Sequence, residues 1–448
     1  MRTIVDGFRE MVHLLGDTFR LWWRNLLPLV TWFLAGYVGF RASIQGAIWL
    51  DEHQHSSLGV GVFSTGVLIQ IAATIGMIRT CATSLYRWRD AAGDQAEETS
   101  DPTQQGLMEL LAVTLLPMIA VWSAWGFLDE RISELSISNI VQRGLGPGAA
   151  FLEVNNGAWH AYIPAIVILL VLRRVLEAID DRWPSRPVRF AQVWAEAFFL
   201  LITVVVTPYA VSDLKGWIEG RDFWYISVNW WDGLKDFFAG IHIPIPAGIE
   251  FLWGFFWESL WPLFRSGVAE PLTWLAITTV VFGHRVMTSS GVFKGTRIER
   301  RLGNRAVPDA DAAKPSRLVA LTNQAPNLLL GGLREKFYPT LTAFRLLVRV
   351  GPVFLGVVCM VYTFWILGEQ WANVGLVRLI GVHGTGSDWN LMNHEIASLI
   401  RDALFETLRI ALLAAAFDLC ISVGAERRAE AAEAAAVQKQ AEAESVQA

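Results

Sequence analysis

Charge is scarce in this chain. Only 18% of its 448 residues are Asp, Glu, Lys or Arg and 53% are hydrophobic, against roughly 25% charged and 45–50% apolar in a soluble domain. The shortage excludes an ordinary water-soluble fold, which would need an outsized core to hide the surplus. Cysteine is nearly absent. Cys81, Cys359 and Cys420 form no Cys-x-x-Cys pair, which excludes a disulfide framework and a thiolate metal site. Catalytic signatures are missing as well: there is no His-Glu-x-x-His, no G-x-x-x-x-G-K-[ST], no G-x-G-x-x-G between a strand and a helix, and no G-x-S-x-G elbow. No cofactor is implied, and no motif argues for an enzyme.

What the chain has instead is long apolar runs, at residues 26–50, 58–78, 107–128, 158–172, 190–211, 268–283, 346–367 and 403–424. Runs of this length cross about 30 Å of hydrocarbon at 1.5 Å per helical residue. They predict an all-α, polytopic integral membrane protein of about eight transmembrane helices arranged as four helical hairpins. The fourth run is the shortest. It crosses only with Trp159, Tyr162, Arg173 and Arg174 at the interfaces, and a re-entrant path is the alternative.

Net charge is −5, and this mild value hides an asymmetry. Segments 1–25, 79–106, 173–189, 284–345 and 425–448 hold 26 Lys and Arg, and the segments between them hold 8. The positive-inside rule places the first set in the cytoplasm, with odd-numbered spans running outward and both termini inside a bacterial-type plasma membrane. Residues 1–25 do not read as a cleavable signal, so the first span is expected to persist.

The chain divides accordingly. Residues 1–25 form an amphipathic interfacial helix with Ile4, Val5, Phe8, Met11, Val12, Leu15 and Phe19 on one face. Residues 26–211 are a first bundle of five spans, 212–267 an aromatic-rich segment of the outer leaflet, and 268–283 the sixth span. Residues 284–345 are a basic cytoplasmic loop whose Lys294, Arg297, Arg300, Arg301 and Arg305 suit anionic headgroups. The last two spans with their outer loop occupy 346–424, and an Ala/Glu-rich tail occupies 425–448. Pro28, Pro117, Pro208 and Pro352 each fall in an outward run and hint at duplication.

Three sets of residues are candidates for function. Arg41, Glu196, Arg409 and Asp418 are charges inside predicted spans, where an ionised group costs several kcal/mol unless paired or hydrated. Arg409 and Asp418 are nine positions apart, about 13.5 Å of helix, so they cannot neutralise each other. Trp224, Trp230, Trp231, Trp253, Trp257 and Trp261 crowd the outer segment, as a lipid-facing belt or a partner surface would. His383, Asp388 and His394, with Glu395, lie in a Gly-rich outer loop and are weak candidates for metal or proton chemistry.

The expected partners are membrane lipids and either other membrane subunits or a second copy. Nucleic acid is not among them, since the basic cluster adjoins a span and lacks interleaved aromatics. The leading expectation is a non-catalytic accessory or scaffold subunit of an envelope or transport assembly. A transporter or channel for a lipid or other amphiphile is the alternative, and an outer-face enzyme the third reading.

Overall fold

A computed structural model describes residues 2–53, 55–85, 107–144, 162–183, 185–240, 245–289, 351–381 and 395–422. It is helical, with no strand among these residues. The basic loop beyond residue 289, the outer loop 382–394 and the tail beyond 422 lie outside the described residues. Four helical stretches are long and apolar enough to cross a membrane: 26–52, 58–82, 187–219 and 352–379. They fit a membrane protein.

Helix α1 (Arg2–Arg24) runs into α2 (Leu26–Glu52) with Asn25 as the only interruption. The break is slight, because the Asn25 amide still donates to Leu21 and the Leu29 amide to Asn25. The Asn25 side chain bonds the Leu21 carbonyl and accepts from Ser84 Oγ at 3.0 Å, pinning the junction to the end of α3 (Ser56–Ala82).

Helices α2 and α3 form an antiparallel hairpin in which glycine faces a side chain at each step. Gly36 meets Ala73, Gly39 meets Ile69, Gly46 meets Val62, Gly66 meets Ser43 and Gly76 meets Trp32. A Cβ at Gly66 would lie 1.8 Å from Ser43 Oγ, so the backbones approach as small-residue membrane contacts do. The outer face of α2 keeps Leu27, Val38 and Trp49 exposed.

Helix α4 (Leu107–Trp125) ends where Gly126 turns through φ 83, a left-handed conformation that suits glycine, and α5 (Phe127–Arg143) follows. Helix α6 (Ile163–Arg182) packs antiparallel on α7 (Arg186–Glu219), with Arg173 beside Glu196 and Asp180 beside Arg189. The apolar part of α6 stops at Leu172, and charged residues fill its second half. At 1.5 Å per residue, Ile163–Leu172 covers about half of a bilayer core. Helix α7 in turn lies antiparallel on α3: Trp194 Nε1 donates to Thr65 at 2.7 Å, and Phe198 sits one turn on, against Gly61. Helix α4 neighbours α7 rather than α6.

Helix α8 (Asp222–Gly240) follows α7 directly beyond Gly220. Helix α9 (Ile245–Phe255) carries Pro246 in its first turn, where no donor is needed. It continues through a π turn (Phe256–Leu260), the short α10 (Trp261–Phe264) and a second π turn (Arg265–Ala269) into α11 (Glu270–Ser289). The predicted sixth span is thus one end of a long helical run.

The last pair is α12 (Pro352–Ile380) and α13 (residues 395–422). Trp365 stacks near Phe405 and Glu369 faces Arg401, so the two are antiparallel. Helix α11 runs parallel to α13, since Trp274 meets Arg409 and Phe282 meets Phe417. The four prolines are not equivalent. Pro28 and Pro352 sit in first turns, while Pro117 and Pro208 are helix-interior, so they do not mark a repeated break.

The amphipathic start behaves as a two-faced helix. Leu14, Thr18 and Leu21 are buried against the bundle, and α1 packs on α12. Trp22 Nε1 donates to Thr407 of α13 at 3.0 Å. Of the predicted apolar stripe, Met11 packs against the core, whereas Val12, Leu15 and Phe19, with Trp23, remain exposed, and the side chains of Ile4, Val5 and Phe8 lie outside those described.

Candidate functional site

The four charges predicted inside spans do not meet in one row. Arg41 on α2 bridges Glu134 of α5 at 3.2 Å and Glu395 of α13 at 3.7 Å, with its guanidinium 5.5 Å from the Tyr37 ring. Arg131 shares Glu134 at 2.9 Å, so this network joins three helices. Glu196 on α7, buried to 4% exposure, faces Arg173 of α6 at 3.7 Å. Asp418 is buried near the C-terminal end of α13. Pairing of this kind removes the cost of isolated charge in a low-dielectric setting, although it adds little stability beyond that.

Arg409 sits in the most elaborate of these networks. Its Nη2 contacts Glu406 at 2.5 Å and its guanidinium lies 4.5 Å from the Trp274 ring centroid and 5.8 Å from that of Phe127. Around it gather Tyr362 and Glu369 from α12, Glu270 from α11, and Arg401 with Asp402 about two turns earlier on α13. Exposure falls along the patch, from 38% at Glu369 through 34% at Glu406 to 14% at Arg409 and 1% at Tyr362. Beyond Arg409, residues 410–417 are buried and apolar. Along α13, among the described residues, the polar patch therefore stops at Arg409, well short of Asp418.

Of these partners, Glu270, Tyr362, Glu369 and Glu406 were not singled out by the sequence. Glu406 carried a signal, three positions before Arg409 on the same helix face. Glu270 and Tyr362 are 92 positions apart, and nothing local joins them.

The six candidate tryptophans of the outer segment all lie on the hairpin made by α8 with α9–α10. Trp230 and Trp253 are 67% and 65% exposed, and Trp224, Trp257 and Trp261 are exposed too. Trp253, Trp257 and Trp261 form a ladder with ring centroids 5.7 and 5.6 Å apart, continued by Phe264. Phe223, Tyr225, Phe237, Phe251 and Leu263 add further exposed apolar surface. Single apolar residues on a surface are normal, but a continuous patch of this kind marks a lipid or protein contact.

The hairpin is clasped by polar groups. Lys235 of α8 pairs with Glu250 of α9, Trp231 Nε1 donates to the same carboxylate at 3.3 Å, and Asp232 flanks the lysine. The Lys235 ammonium and the Trp231 donor hold the Glu250 carboxyl below its ordinary range, and Glu250 pushes the Lys235 ammonium above its own. A carboxylate with a depressed value stabilises the fold above its unfolded pKa and loses that contribution as pH falls through the folded one. The lysine's contribution is lost only on the alkaline side, above about 10.4. Amide hydrogen exchange across 231–250 is thus expected to be steady near neutral pH and to quicken on acidification below about pH 4. Lys235→Met should diminish that acid step, leaving only the part that rests on the Trp231 donor, and an unchanged step in the variant would assign it elsewhere.

His383, Asp388 and His394 lie outside the described residues. Their neighbour Glu395 is engaged by Arg41. Among the described residues no group of three or more His, Cys, Asp or Glu could hold a metal ion. Comparison with known proteins finds no matching family, no matching curated protein and no matching solved structure.

Proposed function

We propose that this chain is a non-catalytic subunit of a bacterial inner-membrane assembly, crossing the bilayer eight times with both ends in the cytoplasm. In this reading its aromatic hairpin docks on a second membrane protein. The observation that carries the proposal is the exposed apolar surface of α8, α9 and α10. Among the described residues no helix of the chain's own bundle covers these rings, and aromatic residues at such density are the anchors of protein interfaces and of membrane boundaries alike. The exposed stripe Val12, Leu15, Phe19 and Trp23 of α1 offers a second contact, suited to the inner lipid interface.

Orientation is supported by the split of 26 against 8 basic residues between alternating segments. The antiparallel pairs α2/α3, α6/α7 and α12/α13, with α11 parallel to α13, agree with alternating spans. A transport pathway gains no such support among the described residues, because the polar patch at Arg409 does not continue along α13 through the buried apolar residues 410–417.

The test is site-specific photo-crosslinking in intact cells, with the crosslinker placed at Trp230, Trp253 or Trp257 of the full chain. One reproducible protein adduct at all three positions is the expected result, and the adduct from position 230 should weaken at least tenfold when Trp253, Trp257 and Trp261 are replaced by serine. Adducts to lipid alone would overturn the docking role and leave the hairpin as a lipid belt.

A further inference from the structure

The side of α1 turned away from the bundle carries two rows of side chains, one apolar and one basic. Val12, Leu15, Phe19 and Trp23 recur at helical spacing and are 52%, 38%, 55% and 74% exposed. Arg9, His13, Arg20 and Arg24 make the second row and are exposed as well. Arg9 stands three positions before Val12 and Arg20 three before Trp23, so the rows are neighbours on the helix surface.

The carboxylates of α1 take the other side of the basic row. Glu10 and Asp17 are part-buried, each four positions before a leucine of the core, Leu14 and Leu21. Among the described side chains of α1 no carboxylate is exposed. Read around the helix, the order is buried apolar, part-buried acidic, exposed basic and exposed apolar. Water alone would suit the basic row and leave the apolar one uncovered. A layer that is hydrocarbon at one depth and anionic at the next suits both.

Position agrees with chemistry. Helix α1 ends at Asn25, whose φ of −110° and ψ of 16° leave helical geometry directly before the first long apolar helix. Arg20, Trp23 and Arg24 therefore fall at the edge of the hydrocarbon. Trp22 and Trp23, with ring centroids 6.2 Å apart, divide the work at this edge: Trp22 turns inward to Thr407 of α13, and Trp23 turns outward.

We propose that α1 binds the anionic phospholipids of the cytoplasmic leaflet, with its apolar row in the acyl boundary and Arg9, Arg20 and Arg24 on the headgroups. The choice of leaflet rests on the cytoplasmic N-terminus proposed above, and the inference is independent of what the aromatic hairpin docks on. A basic residue held at such a surface is worth about a fivefold shift in binding. Three together supply about a hundredfold.

Amide hydrogen exchange of the full-length protein in nanodiscs tests this, with phosphatidylcholine alone in one set and an equal mixture with phosphatidylglycerol in the other. Exchange across residues 9–24 is expected to be at least tenfold slower with the anionic lipid. Salt at about 1 M, where the screening length is about 3 Å, should erase the difference. Replacing Arg9, Arg20 and Arg24 together by glutamine should erase it too, while the rate in phosphatidylcholine stays as in the wild type because Leu14 and Leu21 still pack on the bundle. Equal exchange of the wild type in the two lipids, or a difference that survives the triple substitution, would overturn the proposal. A photo-crosslinker at Phe19 that captures protein instead of lipid in intact cells would overturn it as well. Both faces of a nanodisc carry the same lipid, so the exchange result does not depend on which way the chain is inserted. Cleavage of the N-terminus by protease added outside spheroplasts would overturn the orientation, and with it the choice of leaflet, and leave the lipid contact standing.

Discussion

Arg409→Leu is expected to destabilise the protein by about 1–3 kcal/mol, less than the loss of one partner from a fully buried ion pair, because the Glu406 carboxylate is 34% exposed. The arginine is 14% exposed and its guanidinium serves Glu406 and the Trp274 ring at once. Removing it strands Glu406 and takes away one of the two cations that act on Glu270. A second substitution separates this from simple loss of packing. Arg409→Leu combined with Glu406→Leu removes both charges, and because apolar replacement of a whole buried pair is often neutral, most of the loss should return. Denaturant titration of the four proteins of this cycle, in one detergent, reads the coupling. Additive single effects would mean that the pair is solvated and that the network is incidental.

How much of this was legible in the sequence follows from the range of the interactions involved. The apolar runs are local, and each of the four that the structure gives as long and apolar enough to span overlaps a predicted one. The burial of Glu196 and Arg409 was also readable, because a charge inside an apolar run has to be paired somewhere. Their partners were not. Glu134 meets Arg41 from 93 positions away, and Tyr362 meets Glu270 across a segment of unrelated composition. The α1 helix shows a second kind of limit. Its apolar stripe was visible as periodicity, yet the bundle contact uses Leu14, Thr18 and Leu21, a face that includes a threonine bonded back to Leu14. Hydrophobic patterning finds the greasiest face, and in a protein with lipid on one side and helices on the other that need not be the packed one. The outer segment illustrates a third. Its tryptophans announced an interface, but the helical continuity from Ile245 to Ser289 depends on two π turns and on Pro246 falling in a first turn, which composition does not encode.

The α2–α3 hairpin makes the sharpest steric prediction. A methyl group on Gly66 would stand 1.8 Å from Ser43 Oγ, 2.9 Å from Ser43 Cβ and 3.1 Å from Phe40 Cδ2. Ser43 cannot simply step aside, since it is 7% exposed and its hydroxyl donates to the Phe40 carbonyl at 2.7 Å. Gly66→Ala is therefore expected to cost about 2–3 kcal/mol, the upper part of the overpacking range, by forcing the two helices apart along their whole contact. Elsewhere the same change should do the reverse. A methyl group on Gly356 of α12 would meet nothing within 4 Å, so Gly356→Ala should gain up to about 1 kcal/mol from helix propensity alone. Pairing Gly66→Ala with Ser43→Gly moves the methyl to the other side of the same contact and should recover most of the loss. Thermal unfolding of these variants by a detergent-resolved assay decides the matter: if Gly66→Ala and Gly356→Ala behave alike, the close approach of α2 and α3 is not what holds the hairpin together.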